Sequence, residues 1–288
     1  MITSVEDFQR PFFIGIAGSG MSAIAQYLKG VGKDVSGSDR FFKANEPNDT
    51  KQKLEAEGIL CFPQDGAGIN AGTDLVVVSA AVEDTVVEVQ KAKQLNIPII
   101  KRSELLAIIA DSRKTIAVGG TSGKSTTSAM LFDILEFAGL RPSIISGAGL
   151  VSIMKKEKIA NAKVGTGEWL VIEADESDGS IVQYKTEIGL LLNVEKDHKE
   201  MDVLMEVFGI FKNNSRRFIV NQSNAHARHL SQDIKHDFSL TSDIIAGYNA
   251  GHFRQSGLEI SFTINDSDFS LKLVGRHNME NAVAATAV

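Results

Sequence analysis

Thr115-Ile-Ala-Val-Gly-Gly-Thr-Ser-Gly-Lys-Ser-Thr-Thr127 runs from an apolar strand through a glycine turn into Lys-Ser at the head of a helix. Glycines at 119, 120 and 123 let backbone N–H groups face an anion without Cβ obstruction, and the helix N-terminus adds partial positive charge. Lys124 then reaches the β/γ-phosphates of a nucleotide, and the hydroxyl of Ser125 sits on Mg²⁺. In the general phosphate-loop spacing, G-x-x-x-x-G-K-[ST], the first glycine would fall on Val118, so the chain carries the shorter form G-T-x-G-K-[ST]-T-T. The competing reading is a glycine-rich turn with a solvated lysine. Against it stand the preceding strand and an apolar-periodic helix with Met130, Leu131, Ile134, Leu135 and Phe137.

Upstream, Phe12-Phe13-Ile14-Gly15-Ile16-Ala17 reads as a buried strand, followed by Gly18-Ser-Gly20-Met21, a helix from about Ser22 to Val31, and a strand over 34–37 ending at Ser38-Asp39. This βαβ unit has a nucleotide-binding layout, but its glycines fall as G-x-x-G-x-G rather than G-x-G-x-x-G, so the dinucleotide fingerprint is not met. The glycines fit either a nucleotide or nucleotide-sugar site, or tight helix–strand packing. Asp39 fits a ribose or base contact as well as a turn carboxylate. Strands over 60–62, 74–79 and 97–100 alternate with helices over 50–57, 85–95 and 103–110, which predicts a doubly wound parallel sheet.

The polar Asp111-Ser-Arg113 marks a boundary. It divides a Rossmann-like domain, residues 1–111, from a phosphate-loop-containing α/β domain, residues 112–288. In the second domain, strands are expected over 143–145, 169–173, 188–192 and 218–220, helices over 124–138 and 201–211, and a hairpin over 258–273 turning at Asn265-Asp266. A helix of small residues opens after Gly275. It runs to Val288 with neither a C-cap nor a polar tail, so the chain reads as cut before a further domain.

At 288 residues, with 43% hydrophobic and 23% charged residues, the chain has the composition of a globular protein with two cores. A net charge of −6, with no basic run interleaved with aromatics, argues against nucleic acid as a partner. The lone Cys61 cannot form an internal disulfide, and no apolar run approaches a membrane span, so no membrane partner and a cytoplasmic location are expected. The glycine-broken segment 11–25 follows Glu6 and Asp7 rather than a basic region, so it is not expected to be a signal peptide.

Two polar clusters fall at the carboxyl ends of strands, where open α/β sheets bind ligands. They are Glu173-Ala-Asp-Glu-Ser-Asp-Gly-Ser180, and Asn193-Val-Glu-Lys-Asp-His198. Carboxylates there can supply oxygen ligands to Mg²⁺, whereas imidazole more often suits zinc or copper, so residue chemistry leaves His198 open between ligand and structural group. Asn278 and Asn281 lie three apart on one helical face, as a ligand pair or as a cap and a surface amide.

Taken together and in this order, these segments resemble the Mur ligase family of peptidoglycan synthesis along essentially the whole chain. Gly15-Ile-Ala-Gly-Ser-Gly-Met-Ser-Ala-Ile-Ala25, Ser36-Gly-Ser-Asp39, Val76-Val-Val-Ser-Ala-Ala81, Lys101-Arg-Ser-Glu-Leu-Leu106, Glu173 to Asp178 and Gly275-Arg-His-Asn278 carry the likeness to the branch acting on UDP-N-acetylmuramate and L-alanine. The resemblance implies that Gly18, Ser19, Gly20 and Met21 hold the pyrophosphate of the UDP-sugar, with Ser38 and Asp39 near its uridine. It implies that Gly120, Thr121, Ser122, Gly123, Lys124, Ser125 and Thr126 hold ATP, and that Asn278 and Asn281 contact adenine. Ser125, Glu173 and His198 would bind Mg²⁺, with Glu176 the rival carboxylate, and Lys124, Glu173 and His198 would carry the catalysis.

The implied reaction is attack of the substrate carboxylate on the γ-phosphate to form an acyl phosphate, then displacement of phosphate by an amine. The branch usually has His and Thr where this chain has Ser122 and Ser125, which leaves the exact substrate open. Since the family's third domain would begin beyond Val288, the chain alone is expected to bind nucleotides and ligate poorly. A recycling ligase that adds a preformed peptide, a nicotinamide-dependent oxidoreductase and a non-catalytic nucleotide-sugar binder are the alternatives.

Overall fold

Phe12, Phe13 and Ile14 are entirely buried, as a strand covered on both faces requires. The computed structural model describes residues 2–43, 46–154, 158–177, 179–195 and 200–288. In chain order the first elements are β1 (Pro11–Ile14), α1 (Ser19–Gly30), β2 (Ser36–Asp39), α2 (Asp49–Ala56), β3 (Leu60–Pro63), β4 (Leu75–Val78), α3 (Val87–Gln94), β5 (Ile99–Lys101) and α4 (Arg102–Asp111). Then come β6 (Lys114–Gly119), α5 (Lys124–Phe137), β7 (Ser143–Ile145), β8 (Ala162–Lys163), β9 (Trp169–Ala174), β10 (Thr186–Leu191), α6 (Met201–Asn213) and β11 (Ser215–Val220). The chain closes with β12 (Phe238–Ser239), β13 (Tyr248–Ser256), β14 (Glu259–Ile264), β15 (Ser267–Leu271) and α7 (Arg276–Ala287).

The chain divides into two units, residues 1–113 with 142–168, and residues 114–141 with 169–288. In the first, five parallel strands take the order β3-β2-β1-β4-β5. The chain reverses direction across the sheet at β1, so the turn after β1 opens at the crevice where such sheets bind ligands. Phe12, Ile14, Val76 and Ile69 pack with Val89 and Ala92 of α3 under this sheet. Each of the larger side chains, Phe, Ile or Val, contributes roughly 1.5–3 kcal/mol relative to exposure.

Helix α1 begins at Ser19 rather than near Ser22. Gly18 is therefore its N-cap, and Ser19 and Gly20 belong to its first turn. Strand β2 ends at Asp39 as the pattern implies but begins at Ser36, two residues later than expected.

Residues 142–168, which sequence order assigns to the second domain, pack with the first unit. The cause is a buried polar knot. Asn161 is 1% exposed and donates from Nδ2 to the Ser19 carbonyl at 2.9 Å and to Ser22 Oγ at 3.1 Å, while Gln26 Nε2 donates to Asn161 Oδ1 at 2.5 Å. Each amide buried in this way would be costly without its partners.

In the second unit, β11, β10, β6 and β9 pair in that order, all parallel. Val118 stands opposite Glu173, and Gly119 opposite both Ala174 and Leu191, so the tips of β9 and β10 flank the turn leaving β6. A separate sheet has the order β12-β13-β14-β15. The hairpin β14–β15 is present, turning at Asn265 with φ +52°. Its longest strand, β13, has no counterpart in the sequence reading. It is mostly polar, and its register breaks between Gly251 and Arg254 around His252 at φ +51°.

Candidate active site

The phosphate loop is held from its own backbone outward. Gly123 caps α5 at φ +86°, and a Cβ there would come within 2.6 Å of Asn281 Oδ1. A side chain at that position is therefore excluded twice, by conformation and by space. No side chain caps α5, and its first turn has no acidic residue. Its N–H groups and positive dipole end are left to an anion.

Lys124 donates from Nζ to the Gly120 carbonyl at 2.6 Å and to Glu176 Oε2 at 2.9 Å. Ser125 Oγ donates to Glu173 Oε2 at 2.8 Å. The loop thus meets two carboxylates at the tip of β9, Glu176 through Lys124 and Glu173 through Ser125. A hydroxyl and a carboxylate in direct contact form a hard-oxygen pair suited to Mg²⁺, which takes one or two carboxylates together with phosphate oxygens and water. Among the described residues no group of three or more His, Cys, Asp or Glu could hold a metal, and Mg²⁺ bound this way needs none. His198, expected as a further ligand, lies outside the described residues, as does Asp178.

Asn193, at the tip of β10, grips the other side of the loop. Its Oδ1 accepts from Thr121 Oγ1 and from the Ser122 N–H, both at 2.9 Å, and its Nδ2 donates to the Ser122 carbonyl at 3.2 Å. Sequence reasoning noticed this residue only as the start of a metal-binding cluster. The signal was its place, immediately after the buried run of β10, beside the strand that feeds the loop.

Helix α7 closes the back of the site. Asn281 Oδ1 accepts from Thr127 Oγ1 at 3.2 Å, and Asn281 Nδ2 donates to Asn278 Oδ1 at 3.5 Å. Asn278 in turn donates to the Val274 carbonyl at 2.8 Å. The two amides therefore stand on one face, as their spacing requires, and Asn281 also ties α7 to α5. Glu280 lies between them in sequence and accepts from Asn221 Nδ2 at 3.0 Å. Burial raises its carboxyl above the ordinary carboxylate range. The hydrogen bonds from Asn193 and Asn221 oppose that rise, Glu195 adds to it, and His277 works against it.

In the first unit, the turn after β1 is fastened by β2. The N–H groups of Gly15 and Ile16 both donate to the Ser38 carbonyl, at 2.8 and 3.0 Å. Asp39 accepts from the Ala17 N–H at 2.9 Å through Oδ2 and from the Phe41 N–H at 3.0 Å through Oδ1. Its carboxylate is thus spent on shaping the turn. Ser38 is fully buried, and its hydroxyl has no hydrogen-bond partner among the described residues. Ser19 is exposed and Gly20 half-buried at the uncapped N-terminus of α1, whereas the Met21 side chain is buried and can offer only its backbone. Arg102, to which sequence reasoning gave no role, lies beside this turn: a Cβ on Gly20 would be 3.0 Å from its Nη1. A guanidinium next to an uncapped helix N-terminus strengthens an anion site.

Two sequence families match. Residues 12–114 fit the profile of the Mur ligase family, catalytic domain, and residues 118–288 that of the Mur ligase middle domain. The chain is 33% identical to the UDP-N-acetylmuramate–L-alanine ligase of Mesorhizobium japonicum over 96% of its length and 61% of the relative's. It is 35% identical to the enzyme of that name from Syntrophomonas wolfei, over 95% of its length and 60% of the relative's. The chain thus spans about 60% of the length of these curated relatives. The solved UDP-N-acetylmuramate–alanine ligase from Thermotoga maritima superposes with a TM-score of 0.83 at 25% identity, covering 96% of this chain and 64% of that one. With a phosphate loop gripped by two strand tips in one unit, a glycine turn over a parallel sheet in the other, and both profiles matched in order, the chain belongs to the Mur ligase family.

Proposed function

We propose that the protein takes part in ATP-dependent ligation of L-alanine to the carboxylate of UDP-N-acetylmuramate in peptidoglycan precursor synthesis. The observation that carries the reading is the convergence on one loop of Lys124, Ser125, Glu173 and Glu176. The names carried by relatives at 33–35% identity favour L-alanine over a preformed peptide.

In this reading residues 120–126 cradle the triphosphate, and Lys124 turns its ammonium to the transferring phosphoryl group. Two of its three N–H donors are engaged by Gly120 and Glu176, which fixes the direction of the third. Ser125 and Glu173, with His198 from outside the described residues, would hold Mg²⁺, which neutralises charge on the β- and γ-phosphates. The γ-phosphoryl passes to the sugar-acid carboxylate, and the amine then displaces phosphate from the acyl phosphate. Positioning and charge neutralisation supply most of the acceleration for such transfers.

Asn278 and Asn281 contact the adenine. Gly18 to Met21 hold the pyrophosphate of the UDP-sugar through backbone N–H groups, with Ser38 and Asp39 toward the uridine; the orphaned Ser38 hydroxyl supports a polar ligand there. The division at residues 111/112 separates these two nucleotide sites. A cytoplasmic setting, where ATP is supplied, belongs to the same proposal. Among the described residues no helix is long and apolar enough to cross a membrane.

The test is titration of the protein with MgATP, UDP-N-acetylmuramate and NADH, followed by phosphate release with a panel of amino acids and a peptide. Binding of the first two ligands is expected, with whatever phosphate is released dependent on L-alanine. Binding of NADH in place of the UDP-sugar, or release with the peptide alone, overturns the reading.

A further inference from the structure

We propose that the cleft at the amino ends of β1 to β4 is a second ligand site, which takes a small carboxylate whose apolar body lies on Leu60 and Phe62. Arg10, Asp34, Gly58 and Thr73 line this cleft of about 300 Å³, and they stand one or two residues before β1, β2, β3 and β4. The volume suits a small molecule. The cleft opens at the end of the sheet opposite the turn after β1, so it is independent of the nucleotide reading.

Residues in register across a parallel sheet share a face, which puts Phe12, Ser36 and Leu60 on one side together with Ile14, Ser38 and Phe62. Over β1 and β4 that side is buried under α3, through Val89 and Ala92. Over β3 it is open: Leu60 is 64% exposed, and Phe62 is partly buried with its ring 6.3 Å from that of Phe12. Gly68 lies against both rings, where a Cβ would come within 2.6 Å of Phe12 and 2.8 Å of Phe62, so the loop adds no side chain over them. Large apolar side chains left open in a concave place with a polar rim mark a binding surface.

The rim favours one negative charge. Lys29 runs along Gly58, its Cε 3.2 Å and its Nζ 3.7 Å from the point a Cβ would occupy, and its ammonium has no ion-pair or hydrogen-bond partner among the described residues. On the other side, Arg10 Nη1 is 3.5 Å from the same point on Gly72, and its Nε is 4.0 Å from Asp74. That carboxylate is already engaged by the Gln9 and Arg10 N–H groups, at 2.9 and 2.8 Å. Ser36, on the strand between β1 and β3, adds a hydroxyl donor. Asp34 is the one acid in the lining, so two cations leave a single positive charge there, in a chain of net charge −6. A monoanion matches that balance, whereas a phosphate dianion would bring a second charge against Asp34.

The experiment is titration of the full chain with 2-naphthoate, uncharged 2-naphthamide and phenyl phosphate, read by calorimetry and methyl NMR. Saturable binding of 2-naphthoate that shifts the Leu60 methyl signals is expected, tighter than that of either other compound. Lys29→Met and Arg10→Gln should each weaken it about fivefold, and Asp34→Asn should tighten it about threefold. Leu60→Ser should weaken it about tenfold. Arg10, Asp34 and Leu60 are exposed, so these variants should melt with the unaltered chain.

Equal binding of 2-naphthamide, unchanged affinity in Lys29→Met and Asp34→Asn, or no saturable binding would overturn the site. Tighter binding of phenyl phosphate would overturn the carboxylate as its ligand. Displacement of 2-naphthoate by UDP-N-acetylmuramate, with no shift at Leu60, would put the probe in the crevice at the carboxyl ends and overturn the second site as well.

Discussion

The turns after β1 and β6 are built on the same backbone device and differ in what surrounds it. Both leave a parallel strand at a sheet crevice, both begin a helix at a glycine with no side-chain cap, and neither helix has an acid in its first turn. Around the β6 turn a lysine, a serine, two carboxylates and an asparagine converge. The β1 turn instead uses its carboxylate, Asp39, to fasten the backbone, and has Arg102 for positive charge. The backbone supplies anion affinity in each case. On the proposed function, the side chains decide whether the anion is handled as a reacting triphosphate with a metal ion or as a held diphosphate.

The sharpest way to break this contrast is Lys124→Ala. Loss of the ammonium should weaken MgATP binding by about a hundredfold, since charge-assisted contacts to phosphate are the strong ones. UDP-N-acetylmuramate binding, measured by the same titration, should be unchanged. A parallel loss of both would mean that the two turns do not serve separate ligands.

A smaller effect should separate Gly15 and Gly123, a positive-φ glycine from each turn. Gly123→Ala meets both an unfavourable conformation and the Asn281 oxygen, and should cost about 2–3 kcal/mol in urea unfolding. Gly15→Ala, at φ +81° with nothing within 4 Å of an added Cβ, should cost about 1 kcal/mol. Equal losses would show that the turns are equally crowded.

The smallest effect concerns pH. Because the Glu280 carboxyl is raised in the folded chain, its neutral form is favoured there, and the stability it contributes is lost as pH rises through the raised value. Glu280→Gln does not titrate. Its melting temperature relative to the unaltered chain should therefore climb as pH rises above the ordinary carboxylate range. A constant difference across that range would mean that burial does not disfavour the charge.

Much of the second unit's site was legible in the chain because it is local. Gly119 to Ser125 announce their turn and helix by spacing, and Glu173 announces itself by ending an apolar run, so strand-end chemistry follows from the pattern of a parallel sheet. The same locality explains the errors. The sequence pattern starts α1 near Ser22, whereas the helix begins at Ser19 and buries the Met21 side chain, leaving that residue its backbone for any contact. Strand β13 escaped because its bulge breaks the alternation that marks a strand.

By itself, then, the sequence determined two strand–glycine–helix turns, the helical pairing of Asn278 with Asn281, and the class of chemistry at residues 119–125. Those features follow from short-range backbone preference and side-chain period. Only the tertiary structure decided that Asn193 grips the loop, that Asn221 meets Glu280, and that residues 142–168 pack with the first unit through Asn161. These pairings join residues tens of positions apart, and they depend on which strands lie side by side, which no local pattern specifies.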